Sequence, residues 1–364
     1  MPLRIDFAPS ASFNPGEKVT EQVILECHKP IKANSLKVFI FGSVETTLKR
    51  TKQEAALNFQ LQPVLRTKTT TYRGQDVQIN QYDVMWQKTT ENEGLIKAGS
   101  FPFSFDLPSE VLPTFDGTIS YQVSCKLEVQ GFMNANMNAK KEFEVNFHVD
   151  LNKLEVKGEL IHQYMQNTGM IFKNGMVSYK YLVYKQGFVA GEKIVIPVKV
   201  DNQSKKPVHL VRVRLTRNLV FRACDEQDVI GSKLNVKAEV KCSIAPGTNE
   251  VVFVEMTCPA VMTTMKSQLM DINYYLAEGH LDVTDKIPKN AKGQTKCSIG
   301  AGAKEVVPVK ITVPTVIPTF YTKSIKVIYY LWIGVESTST FKGKIEGCTE
   351  IIIGTVPIME KVYF

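Results

Sequence analysis

The sequence predicts an all-β protein of two tandem β-sandwich domains, the second enlarged by a duplicated unit of 55 residues. Three observations carry this expectation. Apolar and polar residues alternate in short runs along almost the whole chain, and one motif recurs 175 residues downstream of itself. A second, closer repeat sets every matching residue 55 apart.

The alternation is clearest in Phe101-Pro102-Phe103-Ser104-Phe105-Asp106-Leu107, which sets three Phe and one Leu on one face. Val195-Ile196-Pro197-Val198-Lys199-Val200 and Val211-Arg212-Val213-Arg214-Leu215 continue it, and Leu36-Lys37-Val38-Phe39-Ile40-Phe41 is an apolar run closed by Gly42. A strand that buries one face and wets the other reads this way, because successive side chains point to opposite sides of the sheet. Between the runs stand Asn14-Pro15-Gly16, Arg73-Gly74, Asp116-Gly117, Ala190-Gly191, Pro246-Gly247 and Gly300-Ala301-Gly302. These residues supply the fixed or positive φ that tight connections need. Helical periodicity is nearly absent. Only Thr51-Lys52-Gln53-Glu54-Ala55-Ala56-Leu57 reads as a short helical turn, too brief to form a layer. Many short strands punctuated in this way build sandwiches or barrels, not βαβ units.

The longer repeat pairs Phe13-Asn14-Pro15-Gly16-Glu17-Lys18-Val19 with Phe188-Val189-Ala190-Gly191-Glu192-Lys193-Ile194. Leu112-Pro113-Thr114-Phe115 likewise recurs as Ile317-Pro318-Thr319-Phe320, each followed by a Tyr-containing strand. Two homologous domains, 1–152 and 153–364, account for both pairs. Inside the second, Lys241-Cys242-Ser243-Ile244 matches Lys296-Cys297-Ser298-Ile299, Glu250-Val251-Val252 matches Glu305-Val306-Val307, and Tyr274-Tyr275-Leu276 matches Tyr329-Tyr330-Leu331. The units are 222–276 and 277–331. An extra copy within a sandwich must add strands to a sheet edge or stand apart as an appendage.

With 44% apolar and 9% aromatic residues, the 364-residue chain can bury sizeable cores, which excludes wholesale disorder. No run approaches the roughly 18 consecutive apolar residues of a membrane span, and the first residues lack the apolar segment of a secretory signal. A cytoplasmic location is expected, extending to the periphery of the plasma membrane or endosomes. Seven Cys without a C-x-x-C pair read as reduced core residues, and five scattered His give no zinc-ligand spacing, so neither metal nor cofactor is expected. In that compartment the sequon Asn202-Gln203-Ser204 has no use.

The formal charge of +8 is uneven: residues 1–150 hold 16 Lys+Arg and 17 Asp+Glu, whereas 151–364 hold 28 and 19. The field of the second half favours acidic partners. Arg212 and Arg214 share one strand face opposite Val211, Val213 and Leu215, with Lys205 and Lys206 in the preceding turn. These four residues are the candidate patch for acidic or phosphorylated segments or an anionic lipid surface, since Arg meets such anions with a two-pronged geometry. The competing reading is an ordinary solvated strand face. Nucleic acid is not an expected partner, because aromatics interleaved with the basic residues are not evident.

No catalytic constellation is present. Gly300-Ala301-Gly302-Ala303-Lys304 lacks the spacing of a phosphate loop, and its repeat partner Ala245-Pro246-Gly247-Thr248-Asn249 reads as a hairpin turn. Neither G-x-S-x-G nor H-E-x-x-H occurs. Trp86 and Trp332 read as packing residues.

Four groups of segments, taken in order, carry a resemblance. Gly16-Glu17-Lys18-Val19 and Gly191-Glu192-Lys193-Ile194 each open a domain. Gly99 to Pro108 with Leu112-Pro113-Thr114-Phe115-Asp116-Gly117 forms a central signature of the first. Asn202-Gln203-Ser204 with Val211 to Leu215 gives a second strand of the later domain, and Ile351-Ile352-Ile353-Gly354-Thr355-Val356-Pro357-Ile358 closes it. In this order they resemble the arrestin-domain-containing (α-arrestin) family over about residues 5–360. The resemblance implies two arrestin-type, immunoglobulin-like β-sandwiches, with Gly191 to Gly354 longer than the family pattern by about one 55-residue unit. It further implies a non-enzymatic adaptor that binds cytoplasmic segments of membrane proteins or sorting machinery in endocytosis and protein transport. Family members often carry Pro-Pro-x-Tyr motifs that dock WW domains of ubiquitin ligases. No Pro-Pro pair occurs in this sequence, so that link is not expected, and a regulatory scaffold for one soluble partner is the alternative.

Overall fold

The computed structural model describes residues 3–6, 11–57, 63–115, 118–131, 136–167, 175–224, 226–257, 291–296, 305–308, 316–338 and 344–359. The chain divides into two compact units. One is 1–148 with 222–226 and 263–269; the other is 149–221 with 227–262 and 270–364.

In the first unit the strands are β1 (Leu3–Asp6), β2 (Ser12–Phe13), β3 (Lys18–Leu25), β4 (Ile31–Leu57), β5 (Pro63–Gln87), β6 (Leu95–Ile96), β7 (Gly99–Asp106), β8 (Ile119–Val129) and β9 (Met137–Val145). They form two sheets, β1-β3-β7 and β2-β9-β8-β4-β5, with β6 beside β4. Sequence alternation becomes burial alternation: Ile119, Tyr121, Val123, Cys125 and Leu127 of β8 are buried, while the residues between them are not. The core adds Leu36, Val38 and Ile40 from β4 and Val19, Val23, Leu25, Phe103 and Phe105 from the other sheet. Cys125 serves as the small core residue its setting predicts, and burial pushes its thiol up to about 11. Thr51–Leu57 is strand and not the expected helical turn, each residue pairing with β5 down to Leu57 opposite Pro63. Gln, Glu and Ala favour helix by only about a few tenths of a kcal/mol per residue. The facing Pro63–Thr69 segment supplies a continuous backbone ladder that outweighs this.

The second unit begins with a 3-10 turn, Leu151–Lys153. It continues through β10 (Leu160–Asn167), β11 (Gly175–Val183), β12 (Gly187–Val189), β13 (Lys193–Ser204), β14 (Val208–Ala223), β15 (Glu226–Ile244) and β16 (Thr248–Thr257). Then come β17 (Ala291–Lys296), β18 (Glu305–Pro308), β19 (Phe320–Tyr321), β20 (Ile325–Ser337) and β21 (Lys344–Gly354). The sheets run β10-β11-β13-β16-β18 and β12-β21-β20-β14-β15-β17, with β19 beside β20. Between β15 and β16, Gly247 takes a φ of 76° in the turn read from Pro246-Gly247.

β17 lies parallel to β15, from Val236 beside Ala291 to Lys241 beside Lys296, so residues 55 apart are neighbours. β18 lies parallel to β16, with Val252 beside Glu305. Strands from the later repeat therefore extend both sheets. The repeat itself remains a property of the sequence, and Tyr274-Tyr275-Leu276 and Gly300-Ala301-Gly302 fall outside the described residues.

The longer repeat has a mechanical meaning. Thr114 Oγ1 accepts from the Val145 N–H at 2.8 Å, and Thr319 Oγ1 accepts from the Ile353 N–H at 2.9 Å. Tyr121 donates to the Leu112 carbonyl and Tyr329 to the Ile317 carbonyl, both at 2.6 Å. The openings match as well: Phe13 pairs in parallel with Val145, and Phe188 with Ile353. Gly16 (φ 83°) and Gly191 (φ 80°) then turn the chain, a left-handed conformation that suits glycine. In each turn a carboxylate, Glu17 or Glu192, accepts the backbone N–H three residues earlier.

Two predictions follow from these ties. Thr319→Val leaves the buried Ile353 N–H unpartnered, so urea unfolding should show a loss of about 1–3 kcal/mol. Hydrogen bonds from the Asn14 backbone and side chain hold the Glu17 carboxyl below its usual range. The folded pKa lies below the unfolded one, so this stabilisation is complete above about pH 4.3 and is lost as pH falls through the folded value. The difference in urea midpoint between wild type and Glu17→Gln should be present at neutral pH and vanish in acid.

Candidate binding site

β10 ends its sheet, and among the described residues no strand pairs with its outer edge. It is antiparallel to β11 from Leu160 opposite Val183 to Asn167 opposite Met176. Its other side offers main-chain donors and acceptors to an incoming strand. Exposed edges are ordinarily defended by charge, proline or a bulge, yet Leu160–Asn167 contains no Asp, Glu, Lys, Arg or Pro.

Aromatic packing decides which face of β10 turns inward. Tyr164 stacks on Tyr179 and Tyr181 with ring centroids 5.5 and 6.1 Å apart, and His162 lies 5.2 Å from Tyr181. Tyr179 is anchored by donating to the Ile333 carbonyl at 2.8 Å. Burial pushes the Tyr179 and Tyr181 hydroxyls well above their ordinary range, which keeps both protonated. Space for Tyr164 depends on Gly347, since a Cβ there would sit 2.1 Å from the ring.

With those rings inward, Ile161 and Met165 face solvent at 53% and 62% exposure. Ile161 stands opposite Leu182, and the exposed Met176 stands opposite Asn167. Lys180 and Lys199 face each other on the same side of the sheet. The result is an open edge bordered by apolar side chains and two cations. Sequence reading missed Ile161 and Met165, because alternation alone assigns the apolar residues of β10 to the core. The usable signal was the Tyr164, Tyr179 and Tyr181 set, too large to leave in water on one face.

The patch expected from sequence is arranged differently. Arg212 Nε donates to Glu239 Oε1 at 2.8 Å and its Nη1 to Glu336 Oε1 at 2.7 Å. Arg214 lies 3.9 Å from Glu346 and 5.2 Å from the Trp332 ring centroid. Trp332, read as a packing residue, donates to Thr216 Oγ1 at 2.9 Å. Lys205 and Lys206 are exposed in the turn before β14. The fully buried Asn202 steadies that turn by donating to the Lys206 and Ile244 carbonyls. The four residues therefore do not make one free basic surface: strand neighbours, invisible in the linear sequence, bring three carboxylates to the two arginines. Among the described residues no three His, Cys, Asp or Glu side chains group as metal ligands.

With side chains of Arg212, Glu239 and Glu336 only 21%, 11% and 20% exposed, Arg212→Ala removes the guanidinium from two largely buried carboxylates. Chemical unfolding should register a loss of about 2–4 kcal/mol. The double variant Lys205→Ala/Lys206→Ala should stay within about 0.5 kcal/mol of wild type.

Comparison with known proteins agrees with this architecture. The family model for the arrestin (or S-antigen) N-terminal domain matches residues 3–152, and that for the C-terminal domain matches 173–278. Mouse arrestin domain-containing protein 4 is 31% identical over 113 residues, covering 30% of this chain and 27% of that protein. Its human counterpart is 26% identical over 204 residues, covering 53% of this chain and 46% of that protein. The chain thus spans less than half the length of these curated relatives. The C-terminal match stops at 278, before β20 and β21, which complete the second sheet here. Two arrestin domains in series, on sheets closed in the same way, place this chain in the arrestin-domain-containing family.

Proposed function

We propose that this protein is an arrestin-like adaptor that takes extended cytoplasmic segments of membrane proteins by strand addition at β10, for endocytic sorting and protein transport. The open, uncharged edge of β10 carries this reading. An added strand would satisfy its free backbone groups, while Ile161, Met165 and Leu182 receive alternate apolar side chains. Lys180 and Lys199 favour acidic residues beside those apolar positions. Membership of the arrestin-domain family supports an adaptor in general terms, and no catalytic step is needed for strand addition.

The test uses the full chain with peptides from cytoplasmic tails in which apolar and acidic residues alternate. Ile161→Lys/Met165→Lys should weaken binding about tenfold or more while leaving the unfolding midpoint unchanged. Peptides N-methylated on alternate backbone nitrogens should fail to bind. Equal binding by methylated and unmethylated peptides would remove strand addition, and proximity labelling that returned only soluble proteins would remove the membrane-cargo role.

A further inference from the structure

Charge in the first half of the chain balances in total but not in space. Residues 49–73 hold six basic residues, Lys49, Arg50, Lys52, Arg66, Lys68 and Arg73, and one acidic residue, Glu54. The rest of residues 1–150 holds ten basic and sixteen acidic residues. This basic segment is a structural entity of its own. β4 pairs with β8 only as far as Val44, yet continues against β5 to Leu57. Beyond the sheet, β4 and β5 therefore form a two-stranded ribbon running on the order of 40 Å at about 3.3 Å per residue.

Register sorts the ribbon into two faces. Pairs Arg50–Thr70, Lys52–Lys68 and Glu54–Arg66 lie on one face; Lys49–Thr71, Thr51–Thr69 and Gln53–Thr67 lie on the other. The first face is thus basic and the second rich in threonine, with the Thr51 and Thr69 hydroxyls 3.1 Å apart. Lys52 directly opposite Lys68 is a repulsive cross-strand pair. Lys68 is 3.8 Å from Glu54, with both side chains more than half exposed, which is too weak a contact to neutralise the face. Leu65, opposite Ala55, belongs to the threonine-rich face and is 71% exposed.

We infer that this basic face docks on an anionic phospholipid surface. The exposed cations lie in two rows, Lys52 on one strand and Arg66 and Lys68 on the other. Spacings are about 7 Å along each strand and about 5 Å across. An extended acidic chain is one-dimensional and meets one row well, whereas a headgroup plane meets both. This surface lies in the half of the sequence that looked neutral, whereas Arg212 and Arg214 of the second unit already hold carboxylates.

The test is co-sedimentation of the full chain with phosphatidylcholine vesicles with and without phosphatidylserine, at about 0.1 M salt and below, where screening is weaker. Binding should require phosphatidylserine and fall with salt. Lys52→Glu/Lys68→Glu should reduce partitioning at least about 25-fold, since each cation at such a surface is worth about fivefold. Lys52→Arg/Lys68→Arg should bind like wild type. The single reversal Lys52→Glu turns the repulsive pair with Lys68 into an opposite-charge pair and keeps the Lys68–Glu54 contact, so it should leave the unfolding midpoint unlowered while weakening vesicle binding, which separates docking from folding. No wild-type binding at low salt, full binding by the double reversal, loss on Lys205→Glu/Lys206→Glu instead, or tighter binding to poly-glutamate than to vesicles would each overturn the proposal. Because vesicles carry no protein cargo, none of these results bears on strand addition at β10.

Discussion

In each domain a threonine after a proline accepts a hydrogen bond from the strand that closes the sandwich: Thr114 from Val145, and Thr319 from Ile353. Without these bonds the closing strand would leave a backbone N–H dry and unpartnered, which costs more than a single bond contributes. The same closing strands also receive the opening segments, through Phe13 and Phe188, so that one strand ties both ends of its domain. Tyr121 and Tyr329 complete the corners by donating to the carbonyls of Leu112 and Ile317. Everything that presents a surface, including the β10 edge and the β4–β5 ribbon, is built on sheets held by these ties.

The second domain has more strand sequence than one sandwich needs. Its two sheets accept β17 and β18 in parallel on β15 and β16, while among the described residues no strand pairs with the outer edge of β10 at the far end of its sheet. Beside β14 the place is taken by β20, whose Leu331 stands opposite Leu215 and whose Ile333 and Val335 are buried. Fifty-five residues earlier the sequence has Glu278 and His280 at the corresponding positions. A carboxylate and an imidazole are poorly suited to positions that bury Ile333 and Val335, so burial favours the later copy in this slot.

Electrostatics divides along the same line between totals and places. The net positive charge lies in the second half of the chain, but its best-placed arginines are consumed internally by Glu239, Glu336 and Glu346. The first half is neutral in sum, yet concentrates cations on a ribbon with few acidic neighbours. A surface field depends on which side chains share a face, and cross-strand pairing settles that.

The sequence by itself determined the class of fold and the two-domain order, and it marked the repeated motifs without their roles. Period-two burial, glycine turns and the Pro-Thr-Phe corners are local, and local geometry is legible in a linear string. It also placed Arg212 and Arg214 correctly on one strand face. Tertiary structure decided what those positions face. Glu336 and Glu346 reach the arginines only because β20 lies beside both β14 and β21. Ile161 and Met165 turn outward because Tyr164 fits over Gly347, and Thr51–Leu57 is strand because β5 lies against it. In each case the deciding partner is distant in sequence or set by strand register, which a one-residue slip would invert.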